Sequence, residues 1–178
     1  MNPAQRALLL AAARAAVHAR LTDTHLGAPL IPDETLRESR GAFVSVHVAG
    51  ELRGCVGIVE AGAPLVDTVT RCAVAAATED SRFPPLTVQE LEAARLEISV
   101  LSAPRSLPDP DFLEPGVHGI IVSDGARRAL LLPQVATQHG FGRDEFLDAA
   151  CSKAGLATGS WRSGGLSLEV FTAEVFAE

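Results

Sequence analysis

The stretch "GAFVSVHVAGELRGCVGIV", Gly41 to Val59, constrains the fold more than any other part of the chain. Two alternating runs flank a short Ala-Gly connection, the pattern of a β-hairpin. In the first run Val44, Val46 and Val48 share one parity, and Phe43, Ser45 and His47 the other. In the second, Leu52, Gly54, Val56 and Ile58 form one set, while Arg53, Cys55 and Gly57 form the opposite one. Successive strand residues point to opposite faces, so each set marks a face.

Matching apolar face to apolar face requires an odd-length connection. A three-residue loop Val48-Ala49-Gly50 meets that requirement and places glycine where such loops need a left-handed residue. It opposes Val46 to Leu52, Val44 to Gly54, Ser45 to Arg53, Phe43 to Cys55 and His47 to Glu51. A two-residue Ala49-Gly50 turn would instead set Arg53 against a valine. In the first register Arg53 and Cys55 point the same way, and a guanidinium beside a thiol favours the reactive thiolate. Gly54 and Gly57 leave room for a ligand or a second backbone to come close. Cys55 is therefore expected on a functional face, with Ser45 and His47 nearby. A cysteine that only fills space is the competing reading.

Elements on either side set the class. A helix is expected from about Pro3 to Arg20, and another opened by Pro64 with Leu65, Val69, Cys72, Ala73 and Ala76 as its apolar stripe. "SRFPP" ends it, because proline disfavours helical geometry in its predecessor. Thr87 and Glu90 form a capping box for a short helix through Ala94. "RLEISVLS" reads as a strand, "APRSLPDPDFLEPG" as a crossing loop, and "VHGIIVS" and "RRALLLP" as a hairpin about Asp124-Gly125. Helices follow after Pro133 and from about Arg143 to Ala154, with Gly155 at a left-handed cap. "LSLEVFTAEVF" reads as one closing strand. This order predicts α+β, an antiparallel sheet with flanking helices, in a single domain over residues 1–178.

Composition narrows the function classes. The chain has 178 residues, long enough for a sizeable core, with 47% apolar and 21% charged residues, which excludes disordered and fibrous classes. A formal charge of −7 argues against a nucleic-acid partner, which needs a basic surface. The run Ala7 to Ala13, bounded by Arg6 and Arg14, is too short for a membrane span, and no other segment is expected to span a bilayer. Cys55, Cys72 and Cys151 show no CxxC spacing, so no disulfide framework is expected and a reducing cytoplasm is the natural compartment. Cys72 and Cys151 fall on helical apolar stripes and read as core.

Further candidates lie elsewhere. "EDSRF" sets Asp80 and Arg82 at a helix exit, where Asp80 orients a base and Arg82 holds an anion, or the two simply staple their loop. His118, before Gly119 at a strand start, is a candidate base, as is His47; each also reads as a structural histidine. His18, His25 and His139 read as surface residues. Lys153 is the only lysine among the 15 basic residues, in a position that also complements a helix dipole. No metal-ligand spacing, nucleotide loop or GxSxG elbow is present, so neither metal nor cofactor is expected for this chain.

Taken together, "LRGCVG", "GAFVSV", "EDSRFPPLTVQEL", "ISVLS", "GVHGIIV", "LLLPQVA" and "KAGL" resemble, in order, the motifs of the AMMECR-type domain family, also called AmmeMemoRadiSam system protein A. The likeness runs from about Gly41 to Glu178. Departures from the family pattern are Val56 for isoleucine, Ser81 for a common proline, and "HGFGRDE" where an aromatic-Asp pair is common. The resemblance implies two unequal lobes with the signature facing a cleft between them, an intracellular protein, and Memo-like and radical-SAM partners. The matching positions are Leu52 to Gly57, Asp80, Arg82, Phe83, His118, Gly119 and Lys153.

Two functions are therefore expected in competition. In the first the chain is an enzyme or enzyme subunit, acting with those partners on a macromolecule. Cys55, Arg53, His118 and Asp80 then carry the chemistry, while Gly54, Gly57, Arg82, Ser45, His47 and Lys153 bind. In the second it is a non-catalytic module that presents substrate or docks the partners.

Overall fold

The computed structural model describes residues 1–24, 33–60 and 62–178, so His25 lies outside the described residues. It divides into two compact units, Met1–Leu101 with Glu174–Glu178, and Ser102–Ala173.

The first unit begins with helix α1, Pro3–Leu21. Asn2 and Gln5 form a capping box and Pro3 occupies a position whose missing N–H costs nothing. Leu9, Ala13 and Val17, four residues apart, are fully buried. Strands β1 (Ala42–Val48), β2 (Glu51–Ile58) and β3 (Ala94–Leu101) follow in sequence around helices α2 (Leu65–Thr78) and α3 (Val88–Ala93). With the closing strand β8 (Ala173–Ala177) they form a four-stranded sheet of order β2-β1-β3-β8. Both β1 pairings are antiparallel. Helices α1 and α2 supply Leu9, Val17, Leu65, Val69 and Ala73 to one core with Val44, Val46, Leu96 and Ile98 of the sheet. The chain end is tied down by charge: the Met1 amine and Arg6 hold Glu174, and Arg14 holds Glu178.

The second unit carries β4 (Arg105–Ser106), β5 (Gly119–Ser123), β6 (Arg128–Leu131) and β7 (Ser167–Phe171), in the order β4-β7-β5-β6 and antiparallel throughout. Helices α4 (Pro133–His139) and α5 (Arg143–Lys153) complete it, and Phe146, Leu147 and Cys151 of α5 pack with Ile120, Val122 and Val170. Gly155 takes positive φ after α5, as the expected left-handed cap requires, and Gly140 does the same after α4.

The α+β class is confirmed, and three expectations are corrected. "LSLEVFTAEVF" is two strands in two different sheets, not one. The break is Thr172, whose N–H donates to the Ser102 hydroxyl at 3.0 Å and whose carbonyl accepts from the Ser102 N–H at 2.9 Å. The Pro-rich crossing loop contains a short strand, β4, paired to β7.

The hairpin register is the third correction. Val48 pairs with Glu51 across a two-residue turn in which Ala49 (φ 53°) and Gly50 (φ 87°) are both left-handed. One extra residue is then taken up between His47↔Leu52 and Val46↔Gly54, which makes Arg53 a β-bulge. The bulge restores the match of apolar faces that the odd-length loop was expected to provide.

Candidate functional site

Beyond the bulge the pairs run Val46↔Gly54, Ser45↔Cys55, Val44↔Val56 and Phe43↔Gly57. Directly opposed residues share a face, so Gly54 and Val56 turn with Val44 and Val46 toward α2. Cys55 turns with Ser45 to the other face. Cys55 therefore faces Ser45 across the ladder, not Phe43. The β1–β3 register continues the row, because Ser45 also pairs with Glu97. Cys55, Ser45 and Glu97 thus form one line across three strands, about 10 Å from end to end at the usual strand spacing. All three are half-buried.

Strand β2 lies at the edge of its sheet, so one side of its backbone has no ladder partner. The loop after α2 covers that side at Cys55. The Asp80 Oδ2 accepts the Cys55 N–H at 2.9 Å, and the Arg82 Nη2 donates to the Cys55 carbonyl at 3.4 Å. Arg82 also grips the Asp80 carboxylate in bidentate fashion, Nε to Oδ1 at 2.9 Å and Nη2 to Oδ2 at 2.6 Å. The Asp80 side chain is only 7% exposed and that of Arg82 is 57% exposed. The guanidinium of Arg82, and then the Cys55 N–H, hold the Asp80 carboxyl well below the usual carboxylate range. A carboxylate so engaged accepts hydrogen bonds and does not take up protons near neutral pH.

Arg53 was expected beside the thiol. The bulge re-aims it: its Nε and Nη2 donate to Glu90 Oε1 at 3.2 and 2.8 Å, and its Nη1 to the Pro84 carbonyl at 3.2 Å. Glu90 is the same residue that caps α3 through Thr87. Arg53 ties the strand to that helix start, and the guanidinium bonded to the Cys55 backbone belongs to Arg82.

The two glycines have structural occupants. A Cβ at Gly54 would stand 1.9 Å from the Ala76 carbonyl oxygen, so α2 rests directly on the strand. A Cβ at Gly57 would stand 2.1 Å from the Phe43 ring. The expected second backbone is α2, and the room at Gly57 is filled by an aromatic side chain. A groove of about 400 Å³ lined by Val56, Ile58, Arg71, Cys72 and Glu79 lies on the α2 side of β2, and Cys55 is not among its walls.

The three cysteines differ sharply. Cys72 and Cys151 are buried and Cys55 is not. Burial pushes the Cys72 thiol up to about 11 and raises that of Cys151 as well. His47 is half-buried and lies between Leu52 and Arg95 in the ladder. Lys153 is exposed in the last turn of α5.

His118 belongs to the second unit and is 8% exposed. Its Nδ1 accepts the Glu114 N–H at 3.2 Å, and its Nε2 stands 3.3 Å from the Arg105 Nη2. An Nδ1 that accepts leaves the proton of the neutral ring on Nε2. His118 thus arrives as a donor, and a role as base would need that proton moved first.

Among the described residues, no group of three or more histidine, cysteine or acidic side chains is arranged to hold a metal ion. None of the described helices is long and apolar enough to cross a membrane. Sequence reasoning missed Glu90, Glu97 and Arg105. The capping box pointed to Glu90 only as a helix start; Glu97 needed the β1–β3 register, and Arg105 looked like one more arginine in a loop.

Comparison with other proteins places this arrangement. Residues 10–176 match the AMMECR1 family model. A protein of Thermofilum pendens is 41% identical over all of this chain and 92% of its own length. Protein MK0488 of Methanopyrus kandleri is 44% identical over 83% of this chain and 75% of its own. The crystal structure of the uncharacterized protein PH0010 from Pyrococcus horikoshii superposes with a TM-score of 0.89 at 34% identity, covering 96% of this chain and 90% of that one. The chain belongs to the AMMECR1 family.

Proposed function

We propose that this AMMECR1-family protein is an enzyme, or the subunit of one, whose working group is the Cys55 thiol beside Arg82. The observation that carries the reading is the clamp. Both backbone groups of Cys55 are held by one Asp80–Arg82 pair, so the strand is fixed at the point that carries the thiol while the side chain stays partly accessible. Preorganisation of that kind is what a nucleophile needs. A thiol–disulfide role fits less well, because the other two cysteines are buried. Arg82, more than half exposed, keeps N–H groups available for an anionic substrate. Asp80 acts by positioning, and Arg53 by holding the strand to α3.

The resemblance to AmmeMemoRadiSam system proteins extends the proposal to Memo-like and radical-SAM partners and to a cytoplasmic setting. The test is the reconstituted system: Cys55→Ser should abolish modification of the macromolecular substrate while leaving assembly intact. Full turnover by Cys55→Ser would remove the thiol from the mechanism.

One observation favours the second reading, a docking or presenting module. Arg53, Asp80 and the Cys55 backbone are all engaged in internal bonds, and among the described residues no base is bonded to the thiol. On that reading partner binding survives Cys55→Ser and fails for Arg82→Glu.

A further inference from the structure

The second unit contains a conflict between donors that the Cys55 site does not explain. His118 is more than nine-tenths buried, and each of its ring nitrogens faces a donor. The backbone N–H of Glu114 points at Nδ1 at 3.2 Å, within a turn that also bonds the His118 N–H to the Glu114 carbonyl at 2.8 Å. The backbone fixes that contact, so Nδ1 is the acceptor. The ring proton then sits on Nε2 and points toward Arg105, which has five N–H donors and no acceptor. Two donors 3.3 Å apart cannot bond each other. A buried donor left without an acceptor is costly, and more so beside a charge.

Arg105 deepens the imbalance. It lies on the two-residue strand β4 at the edge of its sheet, is exposed, and makes no ion pair among the described residues. Two carboxylates in the same stretch are engaged elsewhere, Asp109 capping the turn at Asp111 and Asp111 pairing with Arg143, and the exposed Glu114 forms no ion pair with Arg105. Arg53, Arg82, Arg127 and Arg143, by contrast, are each closed by a carboxylate. Among the described residues, the side-chain hydrogen-bonding contact of the Arg105 guanidinium is with another donor.

We infer that His118 and Arg105 form a binding site for an anionic oxygen, carried by a phosphate or a carboxylate group. One oxygen lying between Nε2–H and the guanidinium accepts from both and resolves the conflict. The remaining Arg105 N–H groups suit the second oxygen of the same anion, the fork geometry at which arginine excels. The site is built by the second unit alone and does not depend on the chemistry assigned to Cys55.

The test is NMR of the full chain labelled with ¹⁵N-histidine, with His118 assigned by loss of its signals in His118→Gln. At pH 8 the ring should show a protonated Nε2 and an unprotonated Nδ1. Inorganic phosphate and acetate are then titrated separately at constant ionic strength. The expected result is a saturable shift of the His118 Nε2 signal with at least one of them. Phosphate alone marks a phosphoryl ligand and acetate alone a carboxylate. Arg105→Gln should keep the same tautomer, since the Glu114 N–H sets it, and should weaken binding about tenfold or more. A proton on Nδ1 would overturn the inference, because Arg105 then donates directly to Nε2 and the pair is a structural bond. So would the absence of a saturable shift with both anions, or equal binding by Arg105→Gln.

Discussion

Two arginine sites, one in each unit, are used in opposite ways. In the first unit Arg53 and Arg82 meet a carboxylate and a backbone carbonyl each, and their work is to hold an edge strand in place. In the second, Arg105 faces a histidine that already has its acceptor position filled. The motif-bearing region is therefore internally complete and exposes one thiol and one half-used guanidinium. At the His118–Arg105 pair donors outnumber acceptors. Charged residues in a signature can be there for architecture, and a ligand site is better sought where the hydrogen-bond inventory fails to close.

The completeness of the first region can be broken most severely at Gly54. A methyl group there meets the Ala76 carbonyl oxygen at 1.9 Å, and neither backbone can yield cheaply. Gly54→Ala should cost about 3 kcal/mol or more in urea denaturation. A cost near zero would mean that α2 does not rest on the strand.

Next in size is the contrast among the cysteines. Alkylation of the native protein at pH 8, resolved by mass spectrometry, should label Cys55 at least about a hundredfold faster than Cys72 or Cys151. Similar rates at all three would erase the distinction on which the site rests.

Asp80→Asn keeps an acceptor for the Cys55 N–H and loses the charge that grips Arg82. It should cost about 1–2 kcal/mol at pH 7. Because the folded carboxyl is depressed, its contribution is fully present above the unfolded value of about 3.9 and declines as pH falls from there toward the folded one. The wild type should therefore lose this increment below about pH 4, and Asp80→Asn should lack that part of the decline. Parallel curves would mean that the carboxylate is not specially stabilised.

A smaller effect sharpens the reassignment of Arg53. Arg53→Ala removes the tie to Glu90 and Pro84 and should lower stability by about 1 kcal/mol, as expected for a partly exposed pair. It should leave Cys55 alkylation unchanged. A slowed reaction at Cys55 would return Arg53 to the thiol.

Much of this was legible from residue order. The helix starts at Pro3, Thr87 and Pro133, the glycine stop at Gly155, and the buried roles of Cys72 and Cys151 all follow from local rules. The hairpin was legible as a hairpin, but its register was not. Matching the apolar faces called for an odd-length loop, and the bulge that restores that match behind a two-residue turn leaves no local signature. The break at Thr172 depends on Ser102, seventy residues away, and β4 is a strand only because β7 lies beside it. Asp80 and Arg82 were visible as candidates, yet their grip on the Cys55 backbone required the fold. His118 was visible, whereas Arg105, the residue that makes it informative, was not.

The central claim is that Cys55 is governed by the Asp80–Arg82 pair. The most direct measurement is the alkylation rate of Cys55 at fixed pH in Arg82→Gln, Asp80→Asn and the wild type. Arg82→Gln leaves a carboxylate uncompensated beside the thiol and should slow the reaction about three- to fivefold; Asp80→Asn leaves a guanidinium uncompensated and should speed it by a similar factor. Loosening of the loop alone would move both rates in the same direction. Rates that rise together, or that do not move, would contradict the account.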